Sequence, residues 1–93
     1  MRQSDFTKSA ERSLQKLATS DNRIAQSIKN KILRLLKDPQ PLDSLKMAGH
    51  PEYLRIRVGK YRIIYRYDDD KLYIVLIAKR DIIYEEFAHL VNK

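Results

Sequence analysis

Phe6, Ala10, Leu14 and Leu17 recur at a helical spacing, with Lys, Glu, Arg and Gln between them. The pattern predicts an amphipathic helix, with Thr7 to cap its start and Glu11 in the first turn, where the helix dipole favours an acid. Thr19-Ser20-Asp21-Asn22 reads as a break and a second N-cap. Ile24, Ile28, Ile32, Leu35 and Leu36 then form a second stripe, and Lys29, Lys31, Arg34 and Lys37 fall mostly off it. Pro39 and Pro41 end this helix, because proline lacks the N–H and clashes with the preceding turn. So short a break predicts an antiparallel helical hairpin with an apolar face to cover.

Residues 38–51 read as one extended loop, with Leu42, Leu45 and Met47 to pin it and Gly49-His50-Pro51 as a turn. Beyond the loop the period drops to two. Leu54, Ile56 and Val58 face one way, and Tyr53, Arg55 and Arg57 the other. Gly59-Lys60 is a tight hairpin turn. Tyr61, Ile63, Tyr65 and Tyr67 then alternate with Arg62, Ile64 and Arg66, and Asp68-Asp69-Asp70-Lys71 is a second polar turn. Residues 72–78 are nearly all apolar, which predicts the central strand, covered on both faces. After Lys79-Arg80-Asp81, the residues Ile83, Phe87, Leu90 and Val91 give a short C-terminal helix. The expected fold is α+β: a helical hairpin and a short C-terminal helix packed on a small, mainly antiparallel sheet, with the helices gathered on one face.

Ninety-three residues suit a single domain, 1–93. A 43% hydrophobic chain with two Gly and three Pro is not a disordered one. The net charge of +7 points to an anionic partner, nucleic acid first, with an acidic protein or a membrane surface as alternatives. With no cysteine, neither a disulfide framework nor a thiolate metal site is expected. The polar opening MRQSDFTKSAER does not suggest a secretory signal, and no apolar run suits a membrane span, so a cytoplasmic protein without a membrane partner is expected.

His50 and His89 are far apart on different elements, and the acids of 68–70 suit a hairpin tip, so no metal or other cofactor is expected. There is no Cys, no Ser placed after a strand within reach of His, and no glycine-rich phosphate loop. What remains is basic. Arg55 and Arg57 share a strand face, Arg62 follows across the hairpin, and Arg80 ends the neighbouring strand. Guanidinium groups hold phosphate bidentately and stay charged at physiological pH. Several on one sheet face suit a phosphodiester backbone, and also the charge that develops when a 2′-hydroxyl attacks phosphorus. A solvated face with arginines chosen for solubility is the plainer alternative. Tyr84 lies one turn beyond Arg80, off the stripe of Ile83, Phe87 and Leu90. It is placed either to stack on an unpaired base or to close the end of the core.

The stretch YLRIRVGKYRIIYRYDDDKLYIVLIAKRDIIYE resembles the C-terminal half of the RelE/ParE toxin superfamily. The matching features are Arg55 and Arg57, Tyr61-Arg62, the polar turn 68–71, the apolar run 72–78, Lys79-Arg80 and Tyr84. The helical hairpin before them also fits. The resemblance to RelE-like mRNA interferases implies a metal-independent endoribonuclease that cuts mRNA in the ribosomal A site and leaves a 2′,3′-cyclic phosphate and a 5′-hydroxyl. It implies that Tyr84 stacks on a base, Arg62 contacts the scissile phosphate, Arg80 protonates or polarises the leaving 5′-oxygen, and Arg55 and Arg57 orient the 2′-hydroxyl. Lys60 and Lys79 are the expected additional RNA contacts. It further implies a cognate, RelB-like antitoxin, and binding to operator DNA only through the toxin–antitoxin complex.

Two departures stand out. The family often opens with an edge strand of alternating apolar residues. Here Met1–Phe6 offers only Met1 and Phe6, so that strand is expected to be short or absent. The basic strand also carries arginine where some members supply a lysine base, and arginine does not deprotonate usefully near neutral pH. Lys79, Lys60, Tyr84, His50 (if the loop folds over the sheet) and a ribosomal RNA group are the candidates for that role. Two other readings remain. One is a ParE-like member that binds DNA gyrase without catalysis, a kind that loses the constellation kept here at Arg62, Arg80 and Tyr84. The other is a basic RNA- or DNA-binding module with no toxicity.

Overall fold

A computed structural model describes residues 1–92. The chain runs β1 (Gln3–Phe6), α1 (Lys8–Ser20), α2 (Asn22–Lys37), β2 (Leu45–Met47), β3 (His50–Val58), β4 (Tyr61–Tyr67), β5 (Lys71–Lys79) and α3 (Arg80–Val91). Five strands form one sheet in the order β1-β5-β4-β3-β2, with β1 parallel to β5 and the other pairs antiparallel. The α+β class and the mainly antiparallel sheet are as the residue pattern predicts.

Both helices of the hairpin start on the expected caps. The Thr7 hydroxyl accepts the amide of Ala10 at 3.1 Å, and Asp21 accepts that of Ile24 at 3.3 Å. Ala10, Leu17, Ala25, Ile28, Ile32, Leu35 and Leu36 are buried against Leu54, Ile56, Val58, Ile63, Tyr65, Leu72, Ile74 and Ile77. These strand residues alternate as predicted until β5. There Ile64 pairs with Leu76 and Tyr65 with Ile74, which leaves Val75 as a bulge. The bulge puts Val75 and Leu76 both on the second face and returns Ile77 to the first. Thr7 fixes it. Its amide donates to the Ile74 carbonyl at 3.1 Å, and its hydroxyl to that of Val75 at 2.6 Å.

Three expectations need correction, and one holds in its milder form. The N-terminal edge strand is present but short: β1 lies beside residues 71–74 of β5, although Gln3, Ser4 and Asp5 are exposed and it contributes mainly backbone hydrogen bonds. Because of it, β5 is the second strand of the sheet and β4 the middle one, though β5 is covered on both faces. The extended loop contains β2, and Leu42 and Leu45 are exposed rather than pinning it. Buried Met47 does so, together with the hydroxyls of Tyr65 and Tyr67, which donate to Pro39 O and Gln40 Oε1, each at 2.8 Å. Burial raises the Tyr65 phenol from 10.0 to about 12. Finally, the helices do not share one face. Ile83 and Phe87 of α3, with Leu90 and Val91 beside them, pack on Met47, Ile64, Val75, Leu76 and Ala78, on the face away from the hairpin.

Candidate functional site

The hairpin between β3 and β4 builds one end of the site. Gly59 has φ of +60°, the only positive φ in this two-residue turn, which is the type II′ pattern that glycine favours. So tight a turn sets Arg57 directly opposite Arg62. Both lean on the same acceptor: Arg57 Nε donates to the Gly59 carbonyl at 3.2 Å and Arg62 Nη1 at 3.3 Å, with a further bond from Arg62 to the Tyr61 carbonyl at 3.0 Å. Like charges directly opposite across a ladder are unfavourable. Among the described residues there are three ion pairs, and none involves Arg55, Arg57, Arg62 or Arg80.

β5 and α3 supply the other wall. Arg62 pairs with Ala78, and the Arg80 amide donates to the Lys60 carbonyl at 3.0 Å, which ties the start of α3 to the hairpin. α3 begins without a side-chain cap, so the positive end of its dipole adds to the local potential. A cavity of about 300 Å³ lies here, lined by Arg57, Lys60, Arg62, Lys79 and Arg80, with Asp81 the one acid on its wall. A second cavity of about 490 Å³ shares Arg57 and Arg62 and is completed by Arg55, Tyr84, Leu45 and Asp43. Asp43 is engaged elsewhere, by Lys31 at 3.3 Å.

Tyr84 sits one turn after Arg80 on α3 and is 38% exposed. Its hydroxyl accepts a hydrogen bond from Arg55 Nη1, and the Arg55 guanidinium lies 5.3 Å from the ring centroid. The two cavities thus bring together all seven residues singled out from the sequence: Arg55, Arg57, Lys60, Arg62, Lys79, Arg80 and Tyr84. His50 is not among them. It begins β3, edge-on to Phe87 at 5.5 Å, and seven residues of strand at about 3.3 Å each put it roughly 23 Å from Arg57. Sequence reasoning did not find Leu45 and Asp43, which reach the site only because β2 forms and pairs Leu45 with Arg55. The spacing of Leu45 and Met47 at i and i+2 was the available signal.

A five-stranded sheet with a helical hairpin on one face and a terminal helix on the other is the architecture of RelE-like toxins. The sequence model of the family described as ParE toxin of type II toxin-antitoxin system, parDE, matches residues 5–84, and the chain belongs to this family of the RelE/ParE superfamily. Among solved structures it resembles a double arginine-to-alanine mutant of Escherichia coli toxin RelE in the free state (TM-score 0.77, 21% identity, covering 98% of this chain and 95% of that one). It also resembles a YoeB/ParE toxin from Agrobacterium tumefaciens (TM-score 0.75, 18% identity, 84% and 98% covered). A third is the toxin–antitoxin complex RelBE2 from Mycobacterium tuberculosis (TM-score 0.70, 25% identity, 85% and 98% covered). No curated protein matches the sequence. Among the described residues, no helix is long and apolar enough to cross a membrane.

Proposed function

We propose that this toxin is an endoribonuclease that cuts messenger RNA in the ribosomal A site, in the cytoplasm, and is held inactive by a cognate antitoxin. The observation that carries this reading is the un-neutralised arginine cluster: Arg57 faces Arg62 with no carboxylate among the described residues bridged to either, beside Arg80 and an exposed Tyr84. A stable fold gains nothing from such a cluster, whereas a phosphodiester that enters it is bound by charge-assisted hydrogen bonds. The 2′-hydroxyl of the substrate attacks its own 3′-phosphorus and the bond to the leaving 5′-oxygen breaks. The products are a 2′,3′-cyclic phosphate and a 5′-hydroxyl. Arg57 and Arg62 hold the non-bridging oxygens as charge builds on them, and Arg80 polarises the leaving oxygen. Tyr84 stacks on a base and Arg55 holds its ring. The 2′-hydroxyl proton leaves through Lys60, Lys79, Tyr84 or a ribosomal group, since arginine is a poor base.

The family's ParE description favours a second reading, a non-enzymatic toxin directed at DNA gyrase. Inducing the free toxin and mapping the 5′ ends of cellular RNA separates the two. Growth arrest with new 5′-hydroxyl ends inside translated messages supports cleavage. Intact messages with gyrase-linked DNA damage support the second reading. Normal growth leaves only a nucleic-acid-binding module.

A further inference from the structure

The second cavity holds one residue that phosphate binding does not explain. Arg55, Arg57, Arg62 and Tyr84 all have roles in the reading above, but Asp43, the one carboxylate on this wall, has none. A negative charge beside a bound phosphate opposes binding. Asp43 does not neutralise the cluster either, since its ion-pair partner among the described residues is Lys31 of α2. Nor is it needed to fix its loop, which Met47 and the hydroxyls of Tyr65 and Tyr67 already hold. Lys31 Nζ donates to Asp43 Oδ2 at 3.3 Å, which orients the carboxylate and leaves Oδ1 for another donor.

The surroundings of this carboxylate suit a base. Leu45 and Tyr84 are large apolar side chains that the fold leaves exposed, at 55% and 38%, and both wall this cavity. Arg55 links them: it pairs with Leu45 across the β2–β3 ladder and donates to the Tyr84 hydroxyl. The reaction sets which nucleotide lies here. Arg57 and Arg62 line both cavities, so a phosphate they hold stands between the two, whereas Arg80, which faces the leaving 5′-oxygen in the proposed reaction, lines only the first. The nucleotide on the 3′ side of the cut therefore extends towards the first cavity. The nucleotide that carries the attacking 2′-hydroxyl lies in the second, with its base against Tyr84 and Leu45 and its edge towards Asp43.

We infer that Asp43 reads the base on the 5′ side of the cut and selects guanine, with Lys31 as its positioning residue. The placement of the strand rests on the nuclease function proposed above; the choice of base rests on the carboxylate. An ionised carboxylate only accepts hydrogen bonds. On the Watson–Crick edge of an unpaired base, where single-stranded RNA is read, guanine presents two adjacent donors, N1–H and the 2-amino group. They match the two oxygens of one carboxylate, and the bond from Lys31 occupies only one of the lone pairs on Oδ2. Adenine and cytosine set a ring-nitrogen acceptor beside their amino group, and uracil flanks its single N–H with two carbonyl oxygens. Each of these puts a lone pair against the carboxylate, so the same residue that attracts guanine repels the other bases.

The test measures binding of the full-length free toxin, by fluorescence anisotropy, to 2′-O-methyl pentanucleotides that differ only in the central base and offer no nucleophile for cleavage. Guanine is expected to bind roughly tenfold more tightly than adenine, cytosine or uracil. Inosine, which is guanine without the 2-amino group, should fall severalfold short of it. Asp43→Ala should erase the difference between guanine and inosine. Asp43→Asn should move the preference to adenine, because an amide supplies the one acceptor and one donor that match the adenine amino group and N1. Lys31→Gln should narrow the guanine preference less than Asp43→Ala does. Equal binding of guanine and inosine by the parent, or a guanine preference that survives Asp43→Ala, would overturn the inference. So would single-turnover cleavage on programmed ribosomes in which Asp43→Ala slows the reaction equally whichever base precedes the cut, because Asp43 would then act on the reaction and not on the base. A toxin that binds guanine through Asp43 yet leaves cellular RNA uncut would refute the nuclease reading alone. One that cuts without regard to this base would refute the inference alone.

Discussion

The two faces of the sheet are finished differently. On one, α1 and α2 seal a continuous apolar layer from Ala10 and Leu17 to Ile63 and Ile77. On the other, α3 covers Ile64, Val75, Leu76 and Ala78 and stops, and at its open end stand Arg55, Arg57, Arg62 and Arg80. Packing decides the first face and leaves the second half-built. Arginines without a carboxylate partner among the described residues stand where packing ends, and the candidate chemistry lies there.

Substitutions on the two faces should therefore fail in different ways. Leu35→Ala removes a fully buried side chain beneath the hairpin and is expected to cost about 2–5 kcal/mol, visible as a lower midpoint in urea or thermal unfolding. Arg62→Ala, on the open end, is expected to change stability by no more than about 0.5 kcal/mol, because the relief of repulsion from Arg57 offsets its lost bonds to carbonyls. A large stability loss in Arg62→Ala would erase the contrast between the faces.

Tyr84 and Tyr65 sharpen the contrast within one residue type. Tyr84→Ala should slow cleavage by roughly tenfold or more, since stacking on a base is worth about 1–3 kcal/mol, while Tyr84→Phe keeps the ring and should be milder. Equal losses would instead make the hydroxyl the proton-transfer group. Tyr65 acts on stability alone. Its phenol is raised from 10.0 to about 12 by burial, so the folded state binds the proton more tightly than the unfolded chain. That contribution is fully present below pH 10 and is lost as pH rises towards 12, on the order of 2 kcal/mol. Tyr65→Phe is expected to cost about 1 kcal/mol at neutral pH for the lost bond to Pro39 and to flatten this alkaline loss, as read by unfolding at a series of pH values.

The smallest expected effect is at Asp68. Backbone amides of Lys71 and Asp70 hold its carboxyl below the usual 3.8. The stability it adds is present above that value and is lost as pH falls through the lowered one. Asp68→Ala should lower stability slightly at neutral pH, remove the small acid-side dependence and leave stability unchanged below the lowered value, as read by unfolding at a series of pH values.

Much of this was legible in the residue pattern, for reasons that also mark its limits. Alternation put Arg55 and Arg57 on one face, the two-residue hairpin set Arg62 opposite Arg57, and helical spacing set Tyr84 above Arg80. β1 was hidden because Gln3, Ser4 and Asp5 face solvent, so a strand held by its backbone leaves no apolar signature. The stripe of α3 showed that it is amphipathic but not which face of the sheet it covers. The contact of Arg55 with Tyr84, 29 residues apart, is tertiary and had no local signal.

The central claim is that the open end of the sheet cuts RNA rather than merely holding it. Single-turnover cleavage on mRNA-programmed ribosomes tests this most directly, with Arg62→Ala and Arg80→Ala compared with the parent. The prediction is a loss of about 100-fold or more for each, near 3 kcal/mol of transition-state stabilisation, with ribosome binding largely retained. Cleavage by both variants at the parent rate would contradict the account and leave these arginines as a binding surface only.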